Sequence, residues 1–243
     1  MIDTVSQILS RCSTPETNIC PTILYNEGWM TRLLVEVSIQ AQPNISAIDF
    51  GSIRHWYSEG LLSSPFLARS RRDQLAEGYT HADMALGDFH VDSSNRGDIS
   101  IQGTDGIFGV IEAKMGSQLS AGTKNAPDYD QASRNLACIA FNTLSTKHRI
   151  FFAVAAPQTK IDEYGIENTI NVTVMVNKIA QRFEMYDRDS NIYALRERVI
   201  DRARACTCFA LSYESWIAAL ADHETHQYLD QFRKHCYAFN RIG

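Results

Sequence analysis

An α/β fold, with a central mixed β-sheet flanked by helices and further helices toward the C-terminus, is predicted by three features of the sequence. A helix-period apolar stripe comes early, several short strand-like runs follow it, and an amphipathic helix then leads into a continuous apolar run. Tyr25 to Ala41 carries Met30, Leu33, Leu34 and Val37 at the spacing of one buried helical face, and Gln42-Pro43-Asn44 ends it. Glu27 lies one turn before Met30 and projects from the end of the same face.

Ser52 to Arg72 is a mixed aromatic, serine and proline segment, read as short helices and loop; its Arg69, Arg71 and Arg72 read as a solvated basic face. Tyr79 to Val91 reads as a strand and Asp92 to Gly97 as a polar turn. Asp98 to Gln102 and Ile107 to Met115 are expected to pair as a hairpin around Gly103-Thr-Asp-Gly106. Gly116 to Pro127 is a loop, and a helix runs from about Asp128 to Leu144 with Pro127 suited to its first turn. His148 to Ala156 is a strand of the fully buried type. Beyond it, Ile166–Met185, Asn191–Ala205, Tyr213–Ala221 and His223–Phe239 read as helices, with Thr207–Leu211 a short strand. The expected organisation is one domain over 1–243, with a core of about 25–157 and a C-terminal helical part of about 158–243.

Composition narrows the function classes. A hydrophobic content of 44% supports a substantial core, and a net charge of −5 argues against a protein coated in basic charge for non-specific nucleic-acid binding. The longest apolar stretch, Ile150 to Pro157, is too short to span a bilayer, and Met1 to Cys12 lacks a signal-peptide pattern, so no membrane association and a cytoplasmic location are expected. Six cysteines without a Cys-x-x-Cys pair suggest neither a disulfide framework nor a zinc site. His223 and His226, three apart on a helix, read as a solvated face.

The chemistry concentrates in Gly97-Asp-Ile-Ser-Ile101 and Gly109-Val-Ile-Glu-Ala-Lys-Met115. Glu112 and Lys114, two apart on a strand, share a face, and a charged pair ending an apolar strand is costly unless paired or metal-bound. Carboxylates at Asp98 and Glu112 suit a hard divalent cation, and a lysine beside it can orient water or stabilise charge on a phosphoryl group. Asp83 is the alternative first ligand; Asp98 is preferred because the adjacent arm of a hairpin is the simpler geometry. Gln131, Arg134, Asn135 and Cys138 form a polar row on the following helix, expected to face this hairpin.

Together, a leading helix with an inward glutamate, a hairpin bearing Asp…Glu-x-Lys and a helix opening at Tyr129-Asp-Gln131 resemble the PD-(D/E)xK, or restriction-endonuclease-like, nuclease superfamily. The resemblance covers roughly Glu27 to Pro157, and the run from Ile111 through Lys124 and Pro127 to Asp130-Gln-Ala-Ser-Arg-Asn-Leu-Ala-Cys138 is similar to a bacterial branch of it. Gly97 stands where the motif's name has proline. The resemblance implies a restriction-endonuclease-like core and a nuclease using Mg²⁺, with Mn²⁺ able to replace it. Asp98, Glu112 and the Ala113 carbonyl would be metal ligands, Lys114 the motif lysine, and Glu27 and Gln131 supporting members of the catalytic set. Lys124, Arg134, Ser117 and Ser120 would contact substrate phosphates. The expected partner is nucleic acid, DNA ahead of RNA, with a homodimer left open. The competing expectations are an inert nucleic-acid-binding or assembly subunit of a defence or repair complex, favoured by the acidic charge, and a hydrolase of small phosphodiesters.

Overall fold

The computed structural model describes every residue except 1, 16, 17, 46, 69–72, 74, 93, 95, 96, 123–125 and 243. The expected basic cluster of Arg69, Arg71 and Arg72, and Lys124, lie outside the described residues.

The chain is α/β, with a seven-stranded mixed sheet between two layers of helices. A short helix α1 (Ile2–Ser10) precedes α2 (Glu27–Ala41), which Asn26 caps by accepting from the Trp29 amide at 2.9 Å. Five strands follow: β1 (His55–Leu62), β2 (Thr80–Gly87), β3 (Phe89–Asp92), β4 (Asp98–Ile101) and β5 (Ile107–Ala113). Then come α3 (Gln131–Asn142), β6 (Arg149–Ala156), α4 (Gln158–Tyr164), α5 (Ile166–Thr169), α6 (Val172–Phe183) and α7 (Arg196–Arg204). The chain ends with β7 (Thr207–Ser212), α8 (Tyr213–Ala218) and α9 (His223–Asn240).

The strand order is β3-β4-β1-β2-β5-β6-β7. Antiparallel pairs join β1 to β2, β2 to β5 and β3 to β4, while β1–β4, β5–β6 and β6–β7 are parallel. The expected hairpin between β4 and β5 therefore does not form. Both strands exist, but β4 pairs with β3 and β1, and β5 lies between β2 and β6. The cause is β1, which falls inside the segment read as short helices and loop. Its sequence hides the strand, because Glu59 takes a φ of 62° and Gly60 follows where an added Cβ would meet Ile99 at 2.3 Å. The long strand expected over Tyr79–Val91 is divided at Gly87, whose φ of 128° lets the chain leave β2 for β3.

Alternation along the central strands assigns the faces. Phe108, Val110, Phe152 and Val154 point toward Leu136 of α3, Ile179 of α6 and Val199 of α7. Ile107, Ile111, Phe151 and Ala153 point toward Leu34 of α2, Trp216 of α8 and Leu229 of α9. With helices on both sides, β5 is buried along its whole length, which explains its apolar run from Ile107 to Ile111. Gly109 admits the neighbouring ring: a Cβ there would stand 2.3 Å from Phe151. No helix among the described residues is long and apolar enough to cross a membrane.

Candidate active site

Among the described residues, Glu112 is the one carboxylate set into the apolar centre of this sheet. It continues the row of Phe108 and Val110 and so projects beneath α3, where only 1% of it remains exposed. Burial of a carboxylate without partners would be prohibitive, and three side chains supply them. Lys114 Nζ donates to Oε1 at 2.7 Å, Gln131 Nε2 donates to the same oxygen at 2.5 Å, and Asn135 Nδ2 donates to Oε2 at 3.1 Å.

The first turn of α3 is held for this purpose. Asp130 caps it by accepting from the Ser133 amide at 2.8 Å, and its other oxygen pairs with Lys178 of α6 at 2.5 Å. Gln131 and Asn135, one turn apart, then face the strand together. Gln131 also accepts from the Ser120 amide at 3.0 Å, fixing its amide orientation and tying the loop after β5 to the site.

Asp83, not Asp98, is the second carboxylate here. The β2–β5 ladder runs from Gly87↔Phe108 to Met84↔Ile111, and beyond it Asp83 Oδ2 accepts from the Ala113 amide at 2.8 Å. A residue's N–H and C=O point to the same side of a strand, so the Ala113 carbonyl faces this gap too. Lys114 then turns its own amide to Ala155 of β6 at 2.8 Å, as alternation requires. Burial first, and the charge of Asp83 second, push the Glu112 carboxyl up to about 7 against the opposing pull of Lys114. A buried carboxylate whose ionisation is opposed by a neighbouring carboxylate is a donor that a hard cation would relieve. No cluster of three or more His, Cys, Asp or Glu side chains suited to a metal exists among the described residues. A cation here would thus rest on Asp83, Glu112, the Ala113 carbonyl and water.

The remaining expected residues are more scattered. Asp98 opens β4, with β1 and β2 between it and β5, or about 14 Å at the usual strand spacing. None of the hydrogen bonds or ion pairs at the Glu112 carboxylate comes from it. Glu27 opens α2 on the opposite face of the sheet, and its charge acts on Tyr213 and Cys236. It makes no hydrogen bond or ion pair with Glu112. Ser117 and Ser120 are exposed on the loop between β5 and α3, and Ser120 accepts the Gln131 amide at 2.9 Å. Arg134 lies on α3 between Gln131 and Asn135 and lines a cleft with Gln131. Asn135 is the contact that the motif alone misses, and its position one turn after Gln131 is the signal that points to it. Compared with known proteins, the chain matches no family model, no curated protein and no solved structure.

Proposed function

We propose that the protein is a Mg²⁺-dependent nuclease, Mn²⁺ being able to replace the metal, that hydrolyses phosphodiester bonds of nucleic acid, with DNA the favoured substrate. The observation that carries this reading is the buried Glu112 carboxylate, paired with Lys114 and set beside Asp83 at the open end of β2 and β5. Asp83 and Glu112 would hold the cation, with the Ala113 carbonyl beside them. When bound, it supplies charge neutralisation at the scissile phosphate and lowers the pKa of water.

The side chains divide the remaining work. Lys114, its side chain 13% exposed, holds its ammonium at the mouth of the site, where it can donate to an attacking water or a phosphoryl oxygen. Gln131 and Asn135 lock the Glu112 carboxylate in one orientation, so its geometry exists before substrate arrives. Arg134, with the exposed Ser117 and Ser120, would contact backbone phosphates. The reading departs from the resemblance at two positions: Asp83 takes the place expected of Asp98, and Glu27 lies on the other face of the sheet.

Nicking of plasmid DNA in millimolar Mg²⁺ or Mn²⁺ tests the reading. Glu112→Ala, Lys114→Ala and Asp83→Asn are each expected to lower the rate at least about a hundredfold. Cleavage that survives all three overturns it. One observation favours a second reading, an inert nucleic-acid-binding or assembly subunit: both Glu112 oxygens are already hydrogen-bonded within the protein. Calorimetric titration with Mn²⁺ separates the two, since an inert subunit would take up no cation that Glu112→Ala abolishes.

A further inference from the structure

Next to the Glu112 site lies a cleft of about 430 Å³, lined among others by Glu77, Tyr79, Thr80, His81, Gln131 and Arg134. Gln131 belongs to both, touching Glu112 with its amide nitrogen while forming part of the cleft wall. The Arg134 Nε is buried and has no hydrogen-bond partner among the described residues. Glu77 accepts from Arg182 Nε at 3.1 Å and Ser64 Oγ at 3.3 Å, and Arg134 acts on it through charge alone, helping to pull its carboxyl down. Arg134 as a whole is partly exposed where it lines the cleft, so its positive charge is available to an anion entering there. Tyr79, just before β2, also lines the cleft and leaves 46% of its surface to solvent, and His81, two residues on, is exposed as well.

We propose that this cleft is a subsite for one unpaired nucleotide of a single-stranded nucleic acid, its base stacked on Tyr79 and its phosphate held by Arg134. The proposal rests on the nuclease reading and names its substrate class. A cavity of this size accepts one small ligand, whereas a base in a duplex reaches such a cleft only after leaving its stack. Aromatic stacking tolerates any base, and an arginine fork suits a phosphate, so the pair selects strandedness rather than sequence.

Fluorescence anisotropy on the full chain in EDTA tests it, with a labelled single-stranded oligonucleotide and the duplex of the same sequence. The single strand is expected to bind at least about tenfold more tightly than the duplex. Tyr79→Ala should lower that affinity about tenfold, Tyr79→Phe should retain it, and neither should alter duplex binding. Arg134→Gln should weaken single-strand binding and flatten its salt dependence. Equal affinity for the two forms, or no loss on Tyr79→Ala, overturns the subsite. A chain that cuts duplex DNA with metal yet shows no such preference keeps the nuclease reading and loses the subsite. A chain that binds the single strand through Tyr79 but cuts nothing does the reverse, and one that binds neither oligonucleotide loses the subsite while the nicking assay decides the nuclease reading.

Discussion

Burial of the Glu112 carboxylate costs the fold stability, and pH exposes that cost. Its carboxyl is raised from an ordinary 4.5 to about 7 in the folded chain, with burial the first cause. Between those values the unfolded chain has released this proton while the folded chain keeps it, so the Glu112 contribution to stability falls as pH rises and levels off above about 7. Glu112→Gln removes the titration but keeps the shape. Its unfolding free energy relative to the parent should climb by up to about 3 kcal/mol from about pH 4 to about pH 8, measured by urea unfolding in EDTA. An offset that does not vary with pH would mean that Glu112 ionises normally in the fold. Asp83 and Asp98 provide a second comparison at this scale. Asp83→Asn should abolish metal-dependent nicking, whereas Asp98→Asn, on a strand separated from β5 by β1 and β2, should leave at least about half of the rate. The opposite ranking would return the first ligand to Asp98. Glu112 and Lys114 were legible in the sequence because charge at the end of an apolar strand is costly unless it is paired or metal-bound. The choice between Asp83 and Asp98 was not, because it depends on which strands are neighbours.

Among the elements, α6 explains how the site's surroundings are kept in place. Its Arg182 is buried, pairs with Glu77 at 3.1 Å, bonds the Leu75 carbonyl, and lies over the Phe66 ring at 4.9 Å and the Tyr186 ring at 5.3 Å. Burial raises the Glu77 carboxyl, with Arg182 pulling the other way. This network ties Phe66, Leu75 and Glu77 to α6, and with Glu77 part of the cleft lining that it shares with Tyr79. Arg182→Met should destabilise the chain by about 3–5 kcal/mol, since Glu77 would remain buried without its ion partner. Adding Glu77→Gln should restore a large part of that loss, which a double-mutant cycle in urea would measure. If the two losses simply add, the pair contributes nothing as a pair. Sequence periodicity found α2, α3 and β6, whose apolar spacing is regular, but it read Ile166–Met185 as one helix where the chain forms α5 and then α6, restarted by the Asn171 cap. It missed β1, where Glu59 and Gly60 interrupt the pattern, and α1, which buries none of its residues. The hairpin that the polar row on α3 was expected to face does not form; Gln131 and Asn135 of that row reach Glu112 of β5, and Cys138 reaches Thr80 of β2.

At the scale of the molecule, the C-terminal third completes the fold. Both hydrophobic cores draw on it: Met175, Ile179, Phe183 and Val199 cover one face of the sheet, while Trp216, Leu229 and Phe232 cover the other. It also contributes β7, which pairs along β6 from Phe151↔Thr207 to Ala156↔Ser212. Without these elements Phe152 and Val154, buried in the whole chain, would face water together with the β6 edge. The site depends on the same part of the chain, because Lys178 of α6 steadies Asp130, and Asp130 caps the helix that carries Gln131 and Asn135 to Glu112. The full chain should therefore unfold in one transition, with tryptophan fluorescence and far-ultraviolet circular dichroism giving the same urea midpoint. A fragment ending at Pro157 should show no cooperative transition and should bind a hydrophobic dye in the absence of urea. Two separate midpoints in the whole chain, or a cooperatively folding fragment, would show that residues 25–157 stand alone. The helices beyond them would then be an addition to the site and not part of what holds it.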